Sequence, residues 1–146
     1  MGSKPVRNSV ECWVVLRGQN AADAVLLLHV AHSPAIPTGF WQPITGGIEP
    51  GETAREACIR EIYEETGLRV QAGDLHQVDG RWEFDLPEQV IRKELYWVEA
   101  PHASVRIAPE EHDDWRWVPL SAVEPALYWE SNRRTWAAVR DAIRRP

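Results

Sequence analysis

Residues 46–68 read GGIEPGETAREACIREIYEETGL, and this stretch decides the predicted fold. The Pro50-Gly51 pair indicates a turn. The residues that follow predict a helix over 52–66, and Gly67 is a favourable C-terminal stop for it. The paired glycines at the start allow a tight loop whose carbonyl or amide groups can approach a metal ion or a phosphate. The stretch therefore predicts a loop followed by one helix.

Three glutamates share one face of the predicted helix. At about 100° per residue, Glu61, Glu64 and Glu65 are neighbours at i, i+3 and i+4. Like charges at this spacing repel each other, and these lie near the helix C-terminus, where the macrodipole disfavours anions. Hard cations with oxygen ligands would remove the repulsion, and magnesium is the expected ion. The spacing alone leaves a solvated acidic face as an equal alternative.

Hydrophobic runs before and after this helix predict strands. The runs are residues 10–16, 24–30, 41–45, 77–84, 91–99 and 115–118. The predicted connections are a turn over 18–23, a loop over 31–40 and an extended piece over 68–70.

Two further helical segments complete the predicted chain. One is a helical turn over 120–123, and the other is a terminal helix over 131–144 with Ser131 as its N-cap. Strands on both sides of a central helix predict one α/β layered domain over residues 1–146.

Composition and charge narrow the classes of function. The chain has 146 residues and a formal net charge of -6, which argues against a nucleic-acid binder with a broad basic surface. An acidic site still accommodates a phosphate substrate, because divalent cations supply the positive charge. Cys12 and Cys58 form no CxxC motif, and no apolar run approaches membrane-spanning length. We expect a cytoplasmic protein with no membrane or nucleic-acid partner, since targeting signals are absent.

The fixed residues of the stretch resemble the Nudix family. The family pattern is G-x5-E-x7-R-E-U-x-E-E-x-G-U, where U is a bulky aliphatic residue. The chain supplies every fixed position, with Gly46, Glu52, Arg60, Glu61, Ile62, Glu64, Glu65, Gly67 and Leu68. Residues 40–47 and 131–133 also resemble the dihydroneopterin triphosphate pyrophosphatase group within this family.

The resemblance implies a fold and a metal site. The implied fold is an α/β/α sandwich with a mixed sheet, in which residues 46–68 form a loop–helix–loop. The resemblance implies that Glu61, Glu64 and Glu65 hold magnesium, for which manganese substitutes. The Gly46 carbonyl is the further ligand that it implies.

The resemblance also implies roles for residues around the metal. Arg60 and Glu52 are expected to brace the loop against the helix, and Arg60 is counted with the catalytic residues for this reason. The general base is either a glutamate of residues 46–68, Glu61 or Glu64, or a glutamate of a later loop. Glu111 is the late-loop candidate, as base or as a distal metal ligand, and a polar surface turn is its equal alternative.

Two aromatic residues and two cations are candidates for binding substrate. Trp82 and Phe84 alternate on a predicted strand, so both point to the same face. They are interpreted as stacking partners for a flat ring, with core packing as the more frequent fate of such a pair. Arg92 and Lys93 are candidates for contacts with phosphate, Arg92 for the terminal one, and a solvated strand edge explains both equally well.

Together these features predict a magnesium-dependent pyrophosphohydrolase. The expected substrate is a nucleotide-like small molecule, a (deoxy)nucleoside or pterin triphosphate, cleaved at a phosphoanhydride bond by metal-activated water. A diadenosine polyphosphate is the alternative substrate. The alternative outside the enzymes is a non-catalytic ligand sensor. The complete set of glutamates within residues 46–68 argues against it. The sequence leaves open whether the protein forms a homodimer.

Overall fold

A computed structural model describes residues 4–18, 23–31 and 35–144 of the chain. Within these ranges the chain forms seven strands and three α-helices. The strands are β1 (Val6–Leu16), β2 (Ala24–Val30), β3 (Phe40–Gln42), β4 (Ile44–Gly47), β5 (His76–Asp85), β6 (Val90–Glu99) and β7 (His112–Pro119). The helices are α1 (Ala54–Thr66), α2 (Leu120–Ala126) and α3 (Glu130–Arg144), and a short 3-10 helix covers Ala72–Asp74.

The strands form one mixed sheet with β1 at its centre. β1 pairs in parallel with β6 along one edge. Its other edge is divided, because it pairs antiparallel with β4 and, farther along, with β2. The sheet continues from β2 to β3 and β7, and from β6 to β5. As a result, Ser9 of β1 lies between Gly47 of β4 and Lys93 of β6.

Helices cover both faces of this sheet. Successive residues of β1 point to opposite faces, so Cys12 and Val14 pack with α1 while Trp13 and Val15 pack with α3. The Trp13 ring lies against Trp136 of α3, with centroids 5.1 Å apart. The chain is therefore an α/β/α sandwich with a mixed sheet, which confirms the predicted fold class.

α1 begins two residues later than predicted because Thr53 is its N-cap. The Thr53 hydroxyl accepts a hydrogen bond from the Glu56 amide, and the Glu56 carboxylate accepts one from the Thr53 amide. At the other end Gly67 has φ +76° and donates its amide to the Tyr63 carbonyl, as predicted for the stop. Glu52 therefore belongs to the loop and not to the helix.

Three local predictions around the core differ from the structure. The extended piece predicted over 41–45 is two strands separated by Pro43, which has no amide hydrogen to donate to the sheet. Ser131 is not an N-cap, because α3 begins at Glu130 and Ser131 lies in its first turn. Residues 68–70 form no strand.

The remaining elements agree with the prediction in kind and differ in length. β1 starts at Val6, β7 starts at His112 and α2 extends to Ala126. Residues 19–22 of the predicted turn, 32–34 of the predicted loop, and the terminal residues 1–3 and 145–146 lie outside the described residues. Among the described residues, no helix is both long and apolar enough to span a bilayer.

We predict that Trp136→Ala lowers the free energy of unfolding by about 3–5 kcal/mol, because it removes a buried ring from the α3 side of the core. Urea denaturation followed by circular dichroism measures this change. Trp129→Ala is the matched control, since Trp129 is 42% exposed, and it should cost less than about 1 kcal/mol. Equal losses in the two variants would contradict the described core.

Candidate active site

Arg60 ties the loop before α1 to the helix. Its Nε and Nη2 donate to the two carboxylate oxygens of Glu52 at 2.8 and 2.9 Å, a bidentate charge-assisted pair. Nη2 also donates to the Gly47 carbonyl at 3.0 Å, and Nη1 donates to Glu61 Oε1 at 2.7 Å. Arg60 holds the pKa of Glu52 down to about 2. Glu52 reaches Arg60 because it lies in the loop and folds back.

These hydrogen bonds of Arg60, called here the Arg60 clamp, bring the backbone of the loop into contact with a carboxylate of α1. Gly46 lies directly against Glu61, and a Cβ atom on Gly46 would overlap the Glu61 carboxyl group. Only glycine fits this contact without displacing Glu61.

Glu65 is a buried carboxyl group at the end of α1. It is 3% exposed, and its Oε2 has no hydrogen-bond partner among the described residues. Burial, together with repulsion from Glu61 and Glu111, raises the pKa of Glu65 to about 9. Burial also raises the pKa of Glu61, against the opposing pull of Arg60. Glu64 lies nearer to solvent, with its Oε2 3.4 Å from Arg60 Nη1.

The start of β7 brings two further groups to this cluster. One potential ligand atom each from Glu65, Glu111 and His112 lie within 4.8 Å of one another. His112 is buried with its Nε2 3.8 Å from Glu65 Oε1, and burial lowers the pKa of the ring. The sequence singled out Glu111 but not the approach of His112, which depends on the pairing of β2 with β7.

The cluster fits a hard divalent cation. Carboxylate oxygens are the ligands that magnesium prefers, and three of the glutamates repel one another without a cation. A buried polar atom without a partner costs free energy, so the unpartnered Oε2 of Glu65 also fits a metal-bound oxygen. Glu61, Glu64 and Glu65 would hold the ion, with Glu111 beside them.

A cavity of about 590 Å³ opens on the α3 face of the sheet and extends to Gly46. Gly46 lines this cavity and also contacts Glu61. The polar, charged and aromatic residues that line it include Arg7, Ser9, Phe84, Lys93, Trp129 and Asn132. The cavity has the size of a site for a small organic ligand.

The two aromatic candidates have different surroundings. Phe84 lines the cavity, with Lys93 Nζ and Arg134 Cζ each 5.2 Å from its ring centroid. Trp82 instead packs against the core on the α3 side, and its Nε1 lies 3.4 Å from the Val78 carbonyl. The stacking interpretation therefore stays with Phe84, and the structure corrects it for Trp82.

Arg92 lies on the opposite face of the sheet from Phe84. Its Nε donates to Glu83 Oε1 at 2.9 Å, and it borders a smaller cavity together with Glu52. This placement follows from strand alternation, because Lys93 points toward the larger cavity and its neighbour points away. Arg92 therefore lies outside the cavity that Phe84 lines, and its contact with the terminal phosphate stays a prediction.

Several residues of the cavity were not predicted from the sequence. Trp129 and Arg7 line it, and Glu11 lies buried beneath it. One signal was available for Glu11, because an acidic residue within a hydrophobic strand run indicates a buried, paired charge. No comparable signal marked Trp129, which reaches the cavity only through the tertiary position of α3.

The protein-family model described as NUDIX domain matches residues 5–139. The chain belongs to the Nudix hydrolase family. It is 36% identical to an RNA pyrophosphohydrolase of Erythrobacter litoralis over 121 residues, covering 69% of this chain and 71% of that protein. It is also 39% identical to an octanoyltransferase of Myxococcus xanthus over 102 residues, covering 66% of this chain. That match spans only 28% of the Myxococcus protein.

Solved Nudix structures share the fold. The dihydroneopterin triphosphate pyrophosphohydrolase of E. coli aligns with a TM-score of 0.66 at 26% identity. The alignment covers 91% of this chain and 95% of that one. The Nudix residues 46–68 thus lie in a chain that has this architecture over nearly its whole length.

We predict that the affinity of this Nudix site for Mg²⁺ rises with pH between pH 7 and 9. Without metal, the raised pKa of Glu65 keeps its carboxyl group protonated below about pH 9, so the cation must displace a proton. Displacement of one proton gives about a tenfold gain in affinity per pH unit. Isothermal titration calorimetry measures it, and Glu65→Gln should flatten the slope. An affinity of the unmodified protein that is independent of pH would contradict the prediction.

Proposed function

We propose that the protein is a metal-dependent pyrophosphohydrolase that cleaves a nucleoside or pterin triphosphate to the monophosphate and pyrophosphate. One observation carries the proposal: Gly46 lines the cavity and contacts Glu61. A ligand whose ring occupies the cavity can therefore extend its phosphates past Gly46 to the carboxylate cluster. The family match and the pyrophosphohydrolase relatives support the same reaction class.

The residues around the cluster would have different roles in the reaction. Glu61, Glu64 and Glu65 would hold magnesium, which supplies charge stabilisation for the transferring phosphoryl group. Arg60 keeps Glu61 in place through its 2.7 Å hydrogen bond. Glu111, at the exposed rim of the cluster, is the proposed acceptor of the proton from the attacking water. The new P–O bond forms to this water oxygen, and pyrophosphate leaves with the electrons of the cleaved bond.

An arginine at the Gly46–Gly47 end of the cavity supports this orientation of the ligand. Arg7 lines the cavity and makes no ion pair with the described residues. A Cβ atom on Gly47 would stand 3.5 Å from Arg7 Nη2, so the guanidinium lies at the Gly46–Gly47 end. A free guanidinium beside the carboxylate cluster is suited to a phosphate oxygen.

A second candidate function is removal of pyrophosphate from the 5′ end of a triphosphorylated RNA. The Erythrobacter relative bears the name RNA pyrophosphohydrolase, and this favours the candidate. The net charge of -6 favours a mononucleotide, because an RNA chain needs cations along its backbone. A diadenosine polyphosphate stays the third option, because stacking on Phe84 requires only a flat ring.

A substrate panel with product identification tests the proposal. The panel contains GTP, dATP, dihydroneopterin triphosphate, diadenosine tetraphosphate and a 5′-triphosphorylated RNA, each with Mg²⁺. A mononucleotide or pterin triphosphate should have the highest kcat/KM, with pyrophosphate as product. If the RNA or the dinucleotide leads by about tenfold or more, the corresponding alternative replaces the proposal. Absence of hydrolysis from the whole panel would favour a sensor.

Variants locate the activity within the site. Glu65→Gln should lower kcat by about two or more orders of magnitude, because it removes a proposed metal ligand. Glu111→Gln should lower kcat far more than it changes KM. Glu110→Gln is the matched control, since Glu110 is the exposed neighbour of Glu111 and belongs to no ligand cluster of the described residues. Equal kcat values for Glu110→Gln and Glu111→Gln would remove Glu111 from the proposed mechanism.

A further inference from the structure

A fully buried carboxylate lies beneath the cavity on the α3 face. Glu11 has no exposed surface, yet it lies in the middle of β1. Its Oε1 accepts hydrogen bonds from Lys93 Nζ at 2.8 Å and from Asn132 Nδ2 at 3.0 Å. Its Oε2 accepts one from Trp13 Nε1 at 3.0 Å. Three donors satisfy the buried charge, as burial requires.

Two of these donors also line the cavity, so Glu11 determines what they present to a ligand. A carboxylate only accepts hydrogen bonds, and it therefore fixes the Asn132 amide with its nitrogen toward Glu11. Asn132 Oδ1 is left as an acceptor, and no described residue donates to it. Lys93 uses one of its three N–H groups on Glu11 and keeps the others for a ligand.

A third polar group completes this floor of the cavity. Ser9 is 5% exposed and lines the cavity, and its Oγ has no hydrogen-bond partner among the described residues. It lies between Lys93 and Gly47 in the register of the sheet. An unpartnered buried hydroxyl facing a cavity is best explained by a polar ligand atom there.

The pairing of Lys93 favours an uncharged ring over a phosphate at this floor. Glu11 neutralises Lys93, whereas Arg7 at the Gly47 end makes no ion pair with the described residues. Arg134, which also lines the cavity without such an ion pair, lies against the Phe84 ring at 5.2 Å from its centroid. The Phe84 ring adds a flat apolar wall beside Lys93. Adjacent strands are roughly 5 Å apart, so Lys93 lies about 10 Å from Gly47, two strands away. A ring at Lys93 thus leaves room for phosphates to reach the cluster.

We propose that this floor, formed by Lys93, Asn132 and Ser9 over Glu11, recognises the lactam edge of a ring, a carbonyl oxygen beside an N–H group. Lys93 donates to the carbonyl oxygen and Asn132 Oδ1 accepts from the N–H group. Glu11 is a positioning residue that holds both. The inference rests on the proposed function only for the direction in which the phosphates extend.

The same geometry disfavours adenine. An asparagine reads adenine with both amide atoms, donating through nitrogen and accepting through oxygen. Here the nitrogen is already committed to Glu11, so this bidentate mode is closed. Lysine is a donor suited to a ring carbonyl such as that of guanine. The class selected is therefore a lactam-bearing ring, of which a 6-oxopurine and a pterin are the bicyclic members.

Equilibrium binding of monophosphates without metal tests the inference. IMP, GMP, neopterin monophosphate and AMP are titrated in EDTA, with intrinsic tryptophan fluorescence as the signal because Trp129 lines the cavity. IMP should bind about tenfold or more tighter than AMP. GMP against neopterin monophosphate distinguishes a purine from a pterin. Equal or tighter binding of AMP, or no measurable binding of any ligand, would overturn the inference. No hydrolysis is involved, so failure of the proposed activity gives a separate result.

Variants test the part played by Glu11. Glu11→Gln frees the Asn132 amide to turn over, and the preference for IMP over AMP should fall to within about threefold. Lys93→Met should also abolish the preference. Arg92→Met is the matched control. Arg92 is adjacent to Lys93 in β6, but its side chain points to the other face of the sheet, so this variant should keep the preference. A full preference in folded Glu11→Gln would overturn the positioning role.

A double variant guards against loss of folding. Lys93→Met alone leaves a buried charge without its cation, which destabilises a protein strongly. Glu11→Gln/Lys93→Met removes both charges together. The double variant should fold, as judged by circular dichroism, and should bind IMP and AMP within about threefold of each other. A retained tenfold preference in it would overturn the inference, and the comparison in the unmodified protein stands independently of all variants.

Discussion

The hydrogen bonds of Arg60 are the constraint on which the site depends. One guanidinium joins Glu52 of the loop, the Gly47 carbonyl and Glu61 of α1. Because these partners come from both the loop and the helix, neither can shift without breaking a charge-assisted bond. The clamp presses the backbone at Gly46 onto Glu61, and this contact determines where a ligand can meet the carboxylates.

The sheet supplies the second half of the site. α1 packs on one face of β1, and the cavity lies on the other face. β4 pairs with the edge of β1, and its Gly46 lines the cavity. The resulting arrangement separates two chemistries. Carboxylates that repel one another, with Glu65 buried among them, lie at the Gly46 end, and a neutralised polar floor with a flat wall lies at the Lys93 end.

The sequence predicted the elements that depend on local pattern and on fixed spacing. The helix, its Gly67 stop and the shared face of Glu61, Glu64 and Glu65 follow from periodicity, which operates within a few turns. The Glu52–Arg60 contact was expected from the resemblance, and it forms because Glu52 lies in the loop, since eight residues exceed the reach along a straight helix. Family resemblance, rather than pattern, supplied the roles expected of these residues.

The sequence did not predict the side-chain positions that depend on tertiary contacts. Trp82 and Phe84 share a face, but the sequence does not show that the core extends to the first and ends before the second. Arg92 and Lys93 are adjacent cations, and only the register with β1 shows which one faces the cavity. The approach of Asn132 to Glu11 joins residues 121 positions apart, and no local pattern predicts it.

The central claim is that the cavity and the carboxylate cluster form one site across Gly46, and a pair of alanine variants tests it most directly. A Cβ atom at Gly46 would displace Glu61, whereas one at Gly47 would meet Arg7 at ordinary contact distance. With Mg²⁺ and the best triphosphate of the panel, Gly46→Ala should lower kcat/KM by about a hundredfold. Gly47→Ala should stay within about threefold, and both variants should fold by circular dichroism. Near-normal hydrolysis by Gly46→Ala, or an equal loss in both variants, would contradict the account.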